Sequence, residues 1–100
     1  AHHEAIHFLE NHDSQIINLN VGTGRGTTVL ELVNTFIKVN KCNIPLVIDS
    51  RRNGDITSLV ADNKLVKAKL KWSPKRDIFD MCRDGWKWQK NNPNGFKSKI

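Results

Sequence analysis

The residues with most chemistry to offer sit together at Arg51-Arg52-Asn53-Gly54-Asp55. Guanidinium groups are planar forks that match phosphate oxygens two hydrogen bonds at a time. Gly54 lets the backbone approach a ligand closely, and Asp55 offers a carboxylate to a ribose or sugar hydroxyl. The same five residues also suit a surface turn closed by an Arg–Asp pair, so the pattern alone leaves both readings open. A second candidate is Gly22-Thr23-Gly24-Arg25-Gly26. A strand, a glycine run and a helix are the parts of a dinucleotide-binding turn, where helix N-terminal amides hold a pyrophosphate. Asp49 even falls where such a site keeps its ribose-binding acid. The spacing, however, is G-x-G-x-G, and Thr27 stands where the third glycine of G-x-G-x-x-G belongs. A tight structural turn fits better.

Other clusters are weaker. His3 and His7 are spaced to chelate a metal from one helix face, but no third ligand is placed to complete the site, and solvent-facing histidines are the simpler reading. Cys42 and Cys82 are too few and too far apart for a disulfide framework or a CxxC zinc site. The first fifty residues carry 3 basic and 5 acidic groups, the last fifty 13 and 5, so the second half is strongly basic and implies an anionic partner. Lys64, Lys67, Lys69, Lys71, Lys75 and Arg76 supply much of that charge. Trp72 alone interleaves them, too little aromatic surface for stacking on nucleic acid, and a solvated helix face is expected. Trp72, Trp86 and Trp88 are expected to fill the core or an interface.

The elements that position these residues follow from periodicity. Ala1 to about Asn11 reads as an uncapped helix with Ala5, Ile6 and Leu9 on one stripe. Gln15–Val21 and Ile44–Ile48 are β-prone and read as short strands. Thr27 or Thr28 caps a helix, Glu31 standing at the capping-box position from Thr28, with an apolar face of Val29, Leu32, Val33, Phe36 and Ile37. Asp62 or Asn63 starts a third helix through Leu70, ended by Trp72-Ser73-Pro74. Asp77 caps a fourth, with Ile78, Met81, Cys82, Gly85 and Trp86 inward, stopped by Asn91-Asn92-Pro93-Asn94-Gly95. The expected fold is therefore mixed α/β, about four helices and two or three short strands. At 100 residues this is one small domain. Two strands make no stable sheet alone, which suggests a piece of a larger α/β protein. No run of apolar residues is long enough for a membrane helix, no signal peptide is visible, and the cysteine usage suits a reducing, cytoplasmic setting.

Four segments, taken in order, resemble one family. They are NVGTGRGTTVLELV (Asn20–Val33), RRNGDITSLVAD (Arg51–Asp62), LKW (Leu70–Trp72) and DMCRDGWKWQKNNPNGF (Asp80–Phe96). They are similar to the C-terminal substrate-binding region of the UDP-glucose 4-epimerase family, within the extended short-chain dehydrogenase/reductases. The resemblance covers essentially residues 1–100. The WxWQxxNPxGF ending is the most particular of the four, and it argues against another nucleotide-sugar epimerase or dehydratase.

The resemblance implies a reaction in which enzyme-bound NAD takes a hydride from C4 of a UDP-hexose and returns it to the other face. It implies that Arg52 contacts the UDP pyrophosphate, Asp55 the ribose, and Val29 the nucleotide. Leu59 holds a position that gates N-acetylated sugars. The family's NAD fingerprint and its catalytic Tyr-x-x-x-Lys lie in an N-terminal Rossmann domain. This sequence has no tyrosine, so the catalytic tyrosine is absent from it, and no cofactor-binding residue or metal ligand is expected in it either. The expected partners are UDP-glucose or UDP-galactose, the Rossmann domain and, in the intact enzyme, a second copy, with neither nucleic acid nor membrane. A small basic nucleic-acid-binding module is the competing expectation.

Overall fold

The computed structural model describes residues 1–96. Four helices form: α1 (His2–Glu10), α2 (Val29–Asn40), α3 (Lys64–Leu70) and α4 (Ile78–Asn91). The chain divides into two compact units, one built from Ala1–Gly26 with Arg52–Lys75, the other from Thr27–Arg51 with Arg76–Ile100.

In the first unit α1 meets α3. The buried stripe of α3 is Asn63, Val66 and Leu70, spaced i, i+3, i+7 on one face. No side chain caps α1, as its sequence implied. At its C-terminal end the amide of Asn11 donates to the His7 carbonyl at 2.7 Å, and the Phe8 and His12 rings stack at 3.9 Å. At its own C-terminal end α3 turns through Lys71, which sits in the left-handed region at φ 50°, a conformation that favours glycine.

In the second unit α2 packs on α4. Thr28 caps α2 by accepting the Glu31 N–H at 3.0 Å, so the capping signal in the sequence is met. Thr35 and Cys82 are the buried residues of the pair. Phe36 meets Trp86 edge to face at 5.6 Å, and the Asn40 amide donates to the Cys82 carbonyl at 3.2 Å. Both inner faces are narrower than expected. Val33, Phe36 and Ile37 are half-buried, while Val29 and Leu32 are open. In α4 Ile78, Cys82 and Trp86 turn inward, and Met81 and Gly85 do not. Asp77 caps α4 in a full capping box with Asp80.

The expected strands do not form. Among the described residues there is no strand and no sheet, so the fold is helical and the mixed α/β expectation is corrected. β-propensity measures the fit of a side chain to a pleated, half-buried surface and requires a neighbour to ladder with. Gln15–Val21 lies in the first unit and Ile44–Ile48 in the second, and neither has a ladder partner. Ile16 is 93% exposed and Ile48 90%, while Ile17, Leu19 and Ile44 are half-buried without a ladder.

Candidate functional site

Arg52-Asn53-Gly54-Asp55 is a tight turn. The Asp55 N–H donates to the Arg52 carbonyl at 3.3 Å. Gly54 stands at φ +89° while Asn53 stays out of the left-handed region, which makes the turn type II and explains the glycine at its third position. Across the turn, Arg52 Nε donates to Asp55 Oδ2 at 3.2 Å. The two readings of the sequence thus coexist: the Arg–Asp pair closes a surface turn, and that turn presents a guanidinium with its Nε already oriented by a carboxylate. Both side chains are well exposed. A pair in that setting contributes about 0.2–1 kcal/mol, small enough for a phosphate or hydroxyl to exchange with it.

Leu59 follows in the same unit with its side chain 85% exposed. Val29 is the first residue of α2, 76% exposed, and belongs to the second unit. The structure therefore brings Arg52 and Asp55 into contact, keeps Leu59 in their unit, and assigns Val29 to the other.

The glycine run has a different role from a phosphate cradle. A Cβ on Gly22 would lie 3.0 Å from the Ala61 Cβ, one on Gly24 3.0 Å from Asn63 Nδ2, and one on Gly26 3.1 Å from Val60 Cγ2. All three glycines face residues 60–63, and their missing side chains let the two segments come together. On that face the turn packs against protein, as a tight structural turn does. Asn63 completes the junction. It is only 7% exposed, and its Nδ2 donates to the Gly22 carbonyl at 3.0 Å. The sequence offers Asp62 or Asn63 as the start of α3, and the Asn63 side chain makes no cap bond. The Lys64 N–H is instead accepted by Asp62 Oδ1 at 3.0 Å. The alternate spacing of three glycines was the available signal, since in an extended segment it strips one face of side chains.

Beside this junction, Asn20, Asp62, Lys64, Leu65 and Ala68 line an open depression of about 410 Å³, which includes none of the four predicted site residues. Lys64, Lys67 and Lys69 are exposed on α3. No group of three or more His, Cys, Asp or Glu that could hold a metal occurs among the described residues. None of their helices is long and apolar enough to cross a membrane.

The charges of α4 form a network of their own. Arg83 donates to Asp80 at 2.9 Å and to Asp84 at 3.0 Å, and Arg76 donates to Asp84 at 2.9 Å. The Asp77 N–H donates to Asp80 and holds its carboxyl below the ordinary range, helped by Arg83. Arg83 does the same to Asp84, and Asp84 in turn raises Arg83. Burial pushes the Cys82 thiol up, which makes it a poor nucleophile.

No family model matches the chain. Comparison with individual proteins finds similarity to one kind of enzyme. Its relatives are UDP-glucose 4-epimerases. It is 45% identical over 94 residues to the one from Yersinia enterocolitica, covering 87% of this chain and 28% of that protein. The one from Dictyostelium discoideum is 41% identical over 96 residues, with coverage of 96% and 28%. UDP-glucose 4-epimerase 4 of Oryza sativa subsp. japonica is 48% identical over 79 residues, with coverage of 79% and 21%. Among solved structures, a UDP-glucose-4-epimerase from Stenotrophomonas maltophila with bound NAD and formylated UDP-arabinopyranose superposes with TM-score 0.83. It is 41% identical and covers 92% of this chain and 27% of that one. The chain spans about a quarter of the length of the proteins it matches.

Proposed function

We propose that residues 1–100 are the C-terminal UDP-sugar-binding part of an NAD-dependent UDP-glucose 4-epimerase that interconverts UDP-glucose and UDP-galactose. The observation that carries this reading is the run of relatives with that one name at 41–48% identity over most of the chain. In this reading Arg52 binds the UDP diphosphate, Asp55 orients Arg52 and meets the ribose, Val29 lies against the nucleotide, and Leu59 limits the room beside the sugar. Hydride chemistry, NAD and the catalytic tyrosine belong to the remaining three quarters of the protein. That larger part is the Rossmann partner of this chain and carries the contact that pairs two copies, and the enzyme works in the cytoplasm. The 100 residues alone are inactive.

Two measurements test it. An antibody against this chain should detect a native protein about three to five times heavier than 11.4 kDa, a span that follows from the quarter-length coverage. Purified, that protein should epimerise UDP-galactose. Arg52→Ala in it should raise KM for UDP-galactose about 10- to 150-fold, the fold-change for losing a charge-assisted hydrogen bond of about 1.5–3 kcal/mol. A variant with unchanged KM and kcat removes Arg52 from the site.

A further inference from the structure

We propose that Asn63 is a positioning residue for the nucleotide subsite, the one that fastens the glycine turn Gly22–Gly26 to the segment carrying Arg52, Asp55 and Leu59. The inference rests on the function proposed above and names a residue that neither the motifs nor the resemblance singled out.

Three observations converge on it. The first is its burial. Asn63 is a polar side chain with 7% of its surface exposed, and a buried amide persists where it is hydrogen-bonded. The second is its partner. Nδ2 donates to the Gly22 carbonyl at 3.0 Å, across 41 positions of sequence. The third is the fit. A Cβ built on Gly24 would meet Asn63 Nδ2 at 3.0 Å and both Cγ and Oδ1 at 3.2 Å. Three atoms of one planar group at nearly one distance place the amide face-on over Gly24. Gly22 supplies the acceptor, Gly24 supplies the clearance, and Asn63 spans both.

The consequence follows from connectivity inside the first unit. Asn63 stands four residues after Leu59 and eight after Asp55, on the far side of a segment without regular secondary structure. Such a segment has no ladder or helix to fix its path, so its register depends on where its two ends are fixed. The Arg52–Asp55 turn at one end is closed by bonds within itself, and at the other end the Asn63 amide ties the segment to the glycine turn. Loosening that end lets Leu59 and the Arg52–Asp55 turn sample more positions, and nucleotide binding must then restore the order at its own expense. The reacting sugar carbon is handled by residues outside this segment. Affinity should therefore fall with little change in turnover once substrate is bound.

The test uses the intact enzyme and two substitutions. Asn63→Ala removes the amide. Asn63→Asp keeps the shape but replaces the donor with an acceptor that faces the Gly22 carbonyl. Steady-state kinetics with UDP-galactose, calorimetric titration with UDP and thermal melting are measured on the same samples. Asn63→Asp provides the comparison should Asn63→Ala fail to fold. Both variants are expected to raise KM for UDP-galactose and Kd for UDP together by about five- to tenfold, the scale of one lost neutral hydrogen bond, with kcat within about twofold. A lowered melting temperature with KM and Kd unchanged makes Asn63 a stability residue only and overturns the proposal. Wild-type enzyme that neither epimerises UDP-galactose nor binds UDP overturns the functional reading instead.

Discussion

Substituting alanine for Gly24 and, separately, for Gly54 splits two costs that glycine substitutions usually mix. Both residues lie in the left-handed region, Gly24 at φ +75° and Gly54 at φ +89°, so each alanine meets a backbone penalty of about 1–2 kcal/mol. Each also stiffens the unfolded chain, a gain of about 0.4–1 kcal/mol that is common to the two. Only the surroundings differ. A Cβ at Gly54 meets nothing within 4 Å, whereas one at Gly24 comes within 3.0–3.2 Å of three atoms of Asn63. Asn63 is buried and hydrogen-bonded, so it can give way only by stretching its bond to Gly22. Overpacking of that kind costs about 1–3 kcal/mol, and this is the expected excess of Gly24→Ala over Gly54→Ala. Urea denaturation followed by tryptophan emission reads it. With a slope of about 2 kcal/mol per M, the midpoints should differ by about 0.5–1.5 M. Adding Asn63→Ala removes the obstruction, so the extra cost of Gly24→Ala should then vanish, which makes the pair strongly non-additive. Equal midpoints for the two glycine variants, or additive behaviour with Asn63→Ala, would refute the packing argument.

Three further outcomes are expected. Lys71→Gly should stabilise the protein by about 0.5–1 kcal/mol, because Lys71 ends α3 at φ 50° and relief of that strain exceeds the entropy glycine adds to the unfolded chain; a lowered melting temperature would count against it. Asp77→Ala removes the side chain that accepts the Asp80 N–H at 3.0 Å and should cost about 1–2 kcal/mol, seen as a drop of several degrees in melting temperature. Acid should loosen α4: the native carboxyls of Asp80 and Asp84 lie below the ordinary 3.8, so unfolding takes up protons. Their stabilisation is complete above that ordinary value and is lost as pH falls through the lower native values. Circular dichroism between pH 6 and 2 should show this loss, and Asp80→Asn should flatten it.

What the sequence revealed depended on how local each interaction is. Thr28 and Asp77 announced their helices because a capping bond spans three residues. The Arg52–Asp55 turn was legible for the same reason: a glycine at the third position and a pair three residues apart define it without help from elsewhere. Gln15–Val21 and Ile44–Ile48 carried equally plain strand signals, yet a ladder is a non-local bargain between two segments. Apolar residues such as Ile16 and Ile48 remain open to solvent without one. Asn63 failed in the opposite direction. An asparagine just before a helix is a cap by local rules, but the Asn63 side chain makes no cap bond, and its amide donates to a carbonyl 41 residues away.

The glycine turn shows how that limit bears on function. G-x-G-x-G between a β-prone segment and a helix has two physical uses, since bare backbone can face a phosphate or another stretch of chain. Spacing weakens the first use, but it cannot establish the second. The packing does, because a Cβ on each of the three glycines would come within 3.0–3.1 Å of Val60, Ala61 or Asn63. Packed in this way, the turn serves the second use. It contributes a carbonyl for Asn63 and a firm end for the segment that bears Arg52 and Asp55. In the proposed reading the diphosphate falls to the exposed Arg52–Asp55 turn. The glycines act on it at one remove, through the close approach that only residues without side chains permit.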